Sequence, residues 1–307
     1  MINGIISVVV IFLIFAVGFL FTAKKLWPQN TQSVLSVVVV KIATPVLALI
    51  SIYDRFTPEL LRQSLYLILI IALYMTLVFL TGKAFAKVLR LPRGKDQVFE
   101  LSFVFSNIIF IGLPINQIAF GSEGLPYLFT FYFVSITMFW SVGAYKLAKA
   151  SPRAGKDFSF KKIINPAFIG ILAGFLLVET RLFIPAALEL ALRYISSLAV
   201  PLALLVVGAN LAGLSKSVPK IHRDEWVILA SKFLICPLFM FILLRVFGVT
   251  GLAFKVFILT ASMPCHMQTS ILAEYYEVES AYASKLVSVS TLFSLITIPI
   301  YTAFALA

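Results

Sequence analysis

Charged side chains are scarce in this chain. Asp, Glu, Lys and Arg make up 12% of its 307 residues, whereas a soluble domain contains roughly 25%. Hydrophobic residues account for 61%, against roughly 45–50% in soluble proteins. Apolar runs recur along almost the whole sequence, which leaves no room for a separate soluble domain. Lipid is therefore the expected solvent for most of the protein.

Cysteine and histidine are also rare, with two residues of each. Cys236 and Cys265 both lie in apolar runs, which excludes a disulfide framework and a CxxC metal site. The sequence has no HExxH motif, no paired aspartates and no Cys/His cluster beyond the adjacent Cys265 and His266. We therefore predict that the protein is not an enzyme and needs no metal or cofactor.

Ten apolar segments are long enough to predict membrane-spanning helices, since a span needs about 20 residues. We number them as predicted spans 1 to 10, and the sequence predicts an all-α polytopic membrane protein. The predicted spans cover residues 4–22, 32–52, 62–82, 97–120, 124–148, 164–179, 186–213, 224–247, 252–276 and 281–305.

The basic residues separate strongly between the two sides of these predicted spans. The odd-numbered loops hold 17 Lys and Arg, whereas the even-numbered loops and their flanks hold six. Because cytoplasmic loops are enriched in Lys and Arg, the odd loops are predicted to be cytoplasmic and both termini extracytoplasmic. This topology explains the net positive charge without a nucleic-acid partner. We predict that the protein is a multi-pass protein of the cell membrane, such as the bacterial inner membrane.

The two halves of the chain resemble each other in sequence. Residues 42–49 of span 2 align with residues 198–205 of span 7, and each segment has a proline at its fourth position. Residues 105–122 align without gaps with residues 263–280. Because each half holds five spans, an odd number, the halves must enter the membrane from opposite sides. Inverted repeats of this kind are typical of secondary transporters.

This alignment predicts the domain organisation. The first inverted repeat covers residues 1–150 with spans 1 to 5, and the second covers residues 164–307 with spans 6 to 10. Residues 151–163 form a basic loop on the cytoplasmic side.

Spans 4 and 9 are predicted to be interrupted helices that cross. Ser106 and Asn107 place polar groups inside span 4, and Pro264 removes a backbone donor in the middle of span 9. The groups freed by such breaks must line a cavity or be buried in protein, so the crossing predicts a substrate site. The alternatives are that Pro264 only kinks a packed helix and that Asn107 only bonds a neighbouring helix.

Further polar residues lie within the predicted spans. Cys265, His266 and Gln268 follow the proline of span 9, and His266 is either a proton carrier or a structural histidine. Lys41 in span 2 and Lys232 in span 8 are candidate anion ligands, although Lys41 could equally reach the interface. No Asp or Glu lies deep in a span, and this absence favours an anionic substrate and argues against a carboxylate-based cation site.

Several motifs resemble the signature of the auxin efflux carrier family, over essentially the whole chain. The segment SNIIFIGLP at residues 106–114 and FGSEG at residues 120–124 carry most of the resemblance. The further matching segments are residues 207–211, 261–264, 272–276 and 290–292, together with Pro299. The family resemblance implies ten helices in two inverted repeats, a scaffold half and a transport half, as in bile-acid symporters and sodium/proton antiporters.

The resemblance also implies a function. Members of the family move auxin in plants, and bacterial relatives are linked to dicarboxylates such as malate and malonate; the short central loop resembles the bacterial type. Asn107 matches the amide at the first crossover. After Pro264, however, the family usually has small or amide residues, whereas this chain has Cys265-His266-Met267-Gln268. The identity of the substrate therefore stays open.

Taken together, these features predict an elevator-like secondary carrier of a small organic anion. The predicted substrate-binding residues are Ser106, Asn107, Pro264, Cys265, His266, Gln268, Lys41 and Lys232. An anion channel on the same fold is the alternative function. The sequence also leaves open whether transport is proton-coupled through His266 or a uniport, and whether the protein is a monomer or a homodimer.

Overall fold

The computed structural model describes residues 2–28, 30–152, 165–212 and 220–306. Almost all of the predicted basic loop, residues 151–163, lies outside the described residues. Within the described residues the chain is mostly helical, and the single β-type pairing there is a bridge between Ser106 and Cys265.

Twelve helices follow one another along the described residues. In chain order they are α1 Ile2–Ala23, α2 Thr31–Arg55, α3 Pro58–Val88, α4 Lys95–Val104, α5 Ile108–Glu123, α6 Leu125–Ala150, α7 Pro166–Thr180, α8 Ala186–Ala212, α9 Arg223–Val246, α10 Gly251–Ala261, α11 Met267–Tyr276 and α12 Ser280–Leu306.

Six of these helices are long and apolar enough to cross a membrane. They are α2, residues Ser64–Val88 of α3, α6, α8, α9 and residues Ser280–Ala305 of α12. Shorter apolar segments are present in α1, α5, α7 and α10. The described part of the chain is therefore that of a helical, membrane-embedded protein, as its composition predicts.

The predicted spans correspond to the observed helices, and spans 4 and 9 are interrupted as the sequence predicts. Spans 4 and 9 each consist of two helices, α4 with α5 and α10 with α11. Helix α3 extends beyond predicted span 62–82 at both ends. Nothing in the sequence between Lys83 and Val88 stops a helix, so the helix continues past the apolar segment until the turn before Pro92.

Wide, π-helical turns interrupt several helices at points that the sequence explains. Turns at Val39–Ala43, Ile108–Gly112 and Ser231–Ile235 each end two residues before a proline. A proline ring clashes with the carbonyl four residues earlier and removes one hydrogen bond, so a locally widened turn relieves the clash. In α9 the carbonyl freed by Pro237 is that of Phe233, and the hydroxyl of Tyr301 donates a hydrogen bond to it.

Two helix pairs pack with their backbones in close contact. Helix α1 lies against the second half of α8, and α7 lies against the part of α2 that begins at Thr44. Glycine makes both approaches possible: a Cβ atom added at Gly18 would lie 2.2 Å from the carbonyl oxygen of Leu205. One added at Gly170 would lie 2.2 Å from that of Pro45.

The remaining helices pack around the two interrupted ones. Helix α3 contacts α4, α6 and α9, while α12 contacts α4, α10 and α11. Buried acidic groups near one end of this group are paired: Lys146 with Glu100, Lys95 with Asp224 and Lys285 with Glu225. The helices thus form a four-helix group of α1, α2, α7 and α8, which faces a second group built around the breaks.

Candidate functional site

The breaks in α4–α5 and α10–α11 lie directly against each other. The backbone N–H of Asn107 donates to the carbonyl of Pro264 at 2.8 Å, and that of His266 donates to the carbonyl of Phe105 at 3.1 Å. The N–H of Cys265 donates to the hydroxyl of Ser290 at 3.1 Å. Unpaired backbone groups are costly in a membrane, and this short antiparallel bridge pairs one N–H and one carbonyl of each extended segment.

Side chains from other parts of the chain bond carbonyls at the end of α4 and directly after it. The thiol of Cys265 lies 3.5 Å from the carbonyl of Ser102, and the thiol of Cys236 lies 3.5 Å from that of Phe103. Lys232 reaches the carbonyl of Phe105. A helix ends with carbonyls that have no partner within the helix, so these three side chains allow α4 to end inside the protein.

Asn107 belongs to the crossing and directly precedes α5, and its side chain has a fixed orientation. Its Oδ1 accepts a hydrogen bond from the backbone N–H of Phe110 at 3.3 Å. Because a backbone N–H can only donate, the Nδ2 group must point the other way. That Nδ2 is buried and has no hydrogen-bond partner among the described residues. Asn107 therefore presents an unused donor.

The side chain of Asn107 lines a cavity of about 190 Å³. Helices α5, α8, α11 and α12 form its walls, so the cavity lies between the four-helix group and the group around the breaks. The described residues that line it are all uncharged: Asn107, Ile111, Val207, Asn210, Leu211, Met267, Ser270, Ser284, Val287, Ser288 and Thr291.

Asn210 supplies a second amide on the opposite wall of this cavity. The amide of Gln32 in α2 donates to Oδ1 of Asn210, and Nδ2 of Asn210 lies 3.7 Å from the sulfur of Met267. Because a thioether sulfur is only an acceptor, the amide orientation is again fixed. Two amide groups with defined orientation thus line one cavity, one from each helix group.

A smaller cavity of about 50 Å³ adjoins the first one and shares Ile111, Val207 and Thr291 with it. Helices α1, α5, α8 and α12 line this second cavity. Ile11, Phe15, Ile115 and other apolar side chains make up most of its walls. The polar cavity therefore continues into an apolar one.

The structure brings most of the predicted site residues to the crossing, but only Asn107 lines the polar cavity. Ser106, Pro264 and Cys265 are buried in the crossing itself. His266 packs edge-on against the ring of Phe139, with ring centroids 4.7 Å apart.

The remaining predicted residues are not cavity residues either. Gln268 is half-buried in the first turn of α11, and its Oε1 has no hydrogen-bond partner among the described residues. Lys232 is fully buried beside the crossing. Lys41 is exposed on the π-helical turn of α2, so the structure does not bring it to the other predicted residues.

Sequence reasoning did not select Asn210 or the hydroxyl groups of α12. Ser284, Ser288 and Thr291 are spaced by four and three residues, which places them on one face of a helix. That spacing was available in the sequence as a signal. Asn210 lies in a segment that contributes to the family resemblance, but no local pattern distinguishes it as a cavity residue.

The site residues do not resemble a metal centre. Among the described residues, no three His, Cys, Asp or Glu side chains group together in a way that could hold a metal ion. The polar cavity offers amides and hydroxyls instead. Such groups suit a ligand that accepts hydrogen bonds.

Comparison with known proteins identifies the family. A family model described as "Membrane transport protein" matches residues 3–156 and 152–302. An "Uncharacterized transporter" of Methanothermobacter thermautotrophicus is 27% identical over 302 residues, which cover 97% of this chain and 96% of the relative. An uncharacterized transporter of Methanocaldococcus jannaschii is 25% identical over 308 residues, with 96% of each chain covered. The chain therefore belongs to the membrane transport protein family of the auxin efflux carrier type.

Proposed function

We propose that this protein is a secondary carrier that moves a small organic anion across the cell membrane. The observation that carries the proposal is the unpaired Nδ2 donor of Asn107, which is buried and fixed in orientation in a residue that lines a polar cavity. A buried donor without a partner costs free energy. A carboxylate in the cavity satisfies this donor, and the hydroxyls of Ser284 and Ser288, which also line the cavity, complete the recognition.

The lining of the cavity favours a monocarboxylate. Two amide donors and the hydroxyls of Ser284 and Ser288 suffice for one carboxylate. A second carboxylate would have to be buried beside apolar groups without a cation. The adjoining apolar cavity suits the uncharged remainder of such a molecule. The combined space is small compared with the roughly 300–1,000 Å³ of pockets for drug-sized ligands, so the substrate is small.

The helix contacts support the proposed inverted repeat of residues 1–150 and 164–307. In an inverted repeat, span 1 (α1) is equivalent to span 6 (α7), and span 2 (α2) is equivalent to span 7 (α8). The contact between α1 and α8 is then the counterpart of the contact between α7 and α2. Both contacts are glycine-mediated and lie next to the aligned prolines, Pro45 and Pro201. Ten spans in this arrangement place the crossing of spans 4 and 9 near the middle of the membrane.

The position of the cavity between two helix groups supports an elevator-like mechanism. In this mechanism the group around the breaks moves with the bound anion against the four-helix group, which stays fixed. Asn107 then travels with the anion, whereas Asn210 belongs to the fixed wall. When the moving group leaves the fixed wall, the anion loses its contact with Asn210. The affinity for the anion therefore differs between the states before and after the movement.

Reconstitution tests the proposed function. Purified protein in liposomes is assayed for uptake of labelled acetate, butyrate, malonate and malate, with and without imposed pH and sodium gradients. We expect saturable uptake of a monocarboxylate and acceleration by the same unlabelled compound inside the liposomes. Unsaturable flux without such exchange would instead indicate an anion channel. The absence of flux for all organic anions would refute both functions.

Coupling to protons through His266 is the subject of a separate prediction. His266 lies beside the crossing, and an imidazole ring can bind and release a proton. If transport is proton-coupled, His266→Gln should abolish the dependence of uptake on an imposed pH gradient while uptake itself persists. An unchanged dependence on pH would assign His266 a structural role, and transport would then be a uniport driven by the membrane potential.

The charge distribution leads to a prediction about topology. The 17 basic residues of the odd loops favour a cytoplasmic position for these loops. The N-terminal end of α1 and the C-terminal end of α12 would then face outward. A cysteine introduced at residue 2 or 306 should react with an impermeant thiol reagent in intact cells. Labelling at both positions only after permeabilisation would reverse the proposed orientation.

A further inference from the structure

Lys232 lies in the middle of α9 with 0% of its surface exposed. The sequence suggests that it binds the substrate, but the structure places its ammonium group against the crossing and outside the lining of the polar cavity. Among the described residues it forms no ion pair with a carboxylate. A fully buried lysine without a carboxylate requires another source of stabilisation.

The end of helix α4 provides this stabilisation. Nζ of Lys232 donates to the carbonyl oxygen of Phe105 at 2.8 Å and lies 3.4 Å from the hydroxyl oxygen of Ser106. Phe105 is the residue directly after α4 and has extended backbone, so its carbonyl lies next to the negative end of the helix dipole, which favours a cation. The ammonium group therefore occupies a site formed by a helix end and a hydroxyl.

This site is connected directly to the position of Asn107. The same Phe105 carbonyl accepts the N–H of His266 at 3.1 Å, so Lys232 contacts one of the two backbone hydrogen bonds of the crossing. Ser106 precedes Asn107, whose own N–H forms the other backbone bond. A shift of Phe105 and Ser106 would turn the side chain of Asn107 away from the cavity.

We propose that the Lys232 ammonium group is a built-in cation of the crossing, and that it acts as a positioning residue for Asn107. It does not contact the transported anion. It holds the Phe105 carbonyl, directly after the end of α4, against the extended segment of span 9. The part of this inference that concerns uptake rests on the proposed function, whereas the part that concerns the cation site does not.

Chemical rescue tests the cation site independently of the transported carboxylate. Lys232→Ala removes three carbons and the ammonium group, which together correspond to n-propylammonium. We expect this variant to melt at a lower temperature than the wild type. Added n-propylammonium should raise its melting temperature in a saturable way, by about 2–4 °C at ten times its Kd.

Matched controls separate charge from volume. n-Propanol has nearly the same size but no charge, so it should not stabilise Lys232→Ala. Neither the wild type nor Lys87→Ala, which removes an exposed lysine of α3, should respond to n-propylammonium. Equal stabilisation by n-propanol, or an equal response of the wild type, would show that no cation site exists beside Phe105.

Lys232→Met provides the second variant, because it fills the space of the lysine stem without a charge. We expect it to fold with a lower melting temperature and to take up the best of the four tested carboxylates at least about tenfold more slowly. In Lys232→Ala liposomes, n-propylammonium should restore this uptake. If Lys232→Met has the melting temperature and the uptake rate of the wild type, the proposal is wrong. This test applies even if Lys232→Ala cannot be purified.

Discussion

Replacing Asn107 with aspartate should weaken carboxylate binding by at least about 100-fold. Aspartate has the size of asparagine and keeps the oxygen that accepts from the N–H of Phe110, so the local backbone should be retained. The donor in the cavity, however, becomes a negatively charged acceptor. Two like charges about 4 Å apart repel by about 4 kcal/mol at an effective dielectric constant of 20, and one charge-assisted hydrogen bond is lost as well.

Asn107→Ala provides a graded comparison. It removes the donor without adding a charge, and the loss of one hydrogen bond to a charged group costs about 1.5–3 kcal/mol, or about ten- to a hundredfold in affinity. Equilibrium binding of the labelled carboxylate to purified protein measures both effects. The melting temperature of each variant, measured in parallel, separates a binding defect from a folding defect.

Asn116 offers a control amide on the same helix, about two and a half turns away. It is buried, and its Nδ2 donates to the carbonyl of Gly112 at 2.8 Å and lies 3.4 Å from the hydroxyl of Thr260. It does not line the cavity. Asn116→Ala should therefore lower the melting temperature while leaving Kd nearly unchanged. Normal binding by Asn107→Ala, or a loss of binding in Asn116→Ala alone, would contradict the proposed site.

The breaks in the two helices differ in how far sequence can predict them. Pro264 marks the break in span 9 directly, because proline removes a donor and clashes with the preceding turn. The break in span 4 has no proline at the extended residues, and only the polar Ser106 and Asn107 and the alignment of the two halves indicate it. Helix periodicity predicts where a side chain points along one helix, so the hydroxyls of α12 could have been found.

Asn210 and Lys232 show what sequence cannot supply. Asn210 becomes a cavity residue because glycines bring α1 against α8 and because Gln32 orients its amide, which are contacts between distant segments. Hydropathy predicts that Lys232 faces the protein interior, but its acceptor, the Phe105 carbonyl, exists only because α4 ends at the crossing. Lys41 has the same side chain in another span, yet the structure leaves it exposed.

Gly170→Val should destabilise the protein strongly while leaving carboxylate affinity intact. A Cβ atom at this position would overlap the carbonyl oxygen of Pro45, at 2.2 Å, and a backbone atom in the middle of a helix cannot move aside as a side chain can. Helices α7 and α2 must separate, and overpacking of this kind typically costs 1–3 kcal/mol or more. We expect the melting temperature to fall by at least about 5 °C.

Gly18→Val tests the same prediction in the other half of the proposed repeat. Its Cβ atom would also lie 2.2 Å from a carbonyl oxygen, that of Leu205 in α8. Equivalent contacts should give similar falls in melting temperature, whereas Leu172→Val, at an exposed position of α7, should change it little. Described residues of α2 and α7 line neither cavity, so the folded fraction of Gly170→Val should bind the carboxylate with the wild-type Kd. Gly18→Val instead displaces α1 from α8, which both line the apolar cavity, so it should also weaken binding. A large fall for one glycine and none for the other would argue that the two contacts, and so the two halves, are not equivalent.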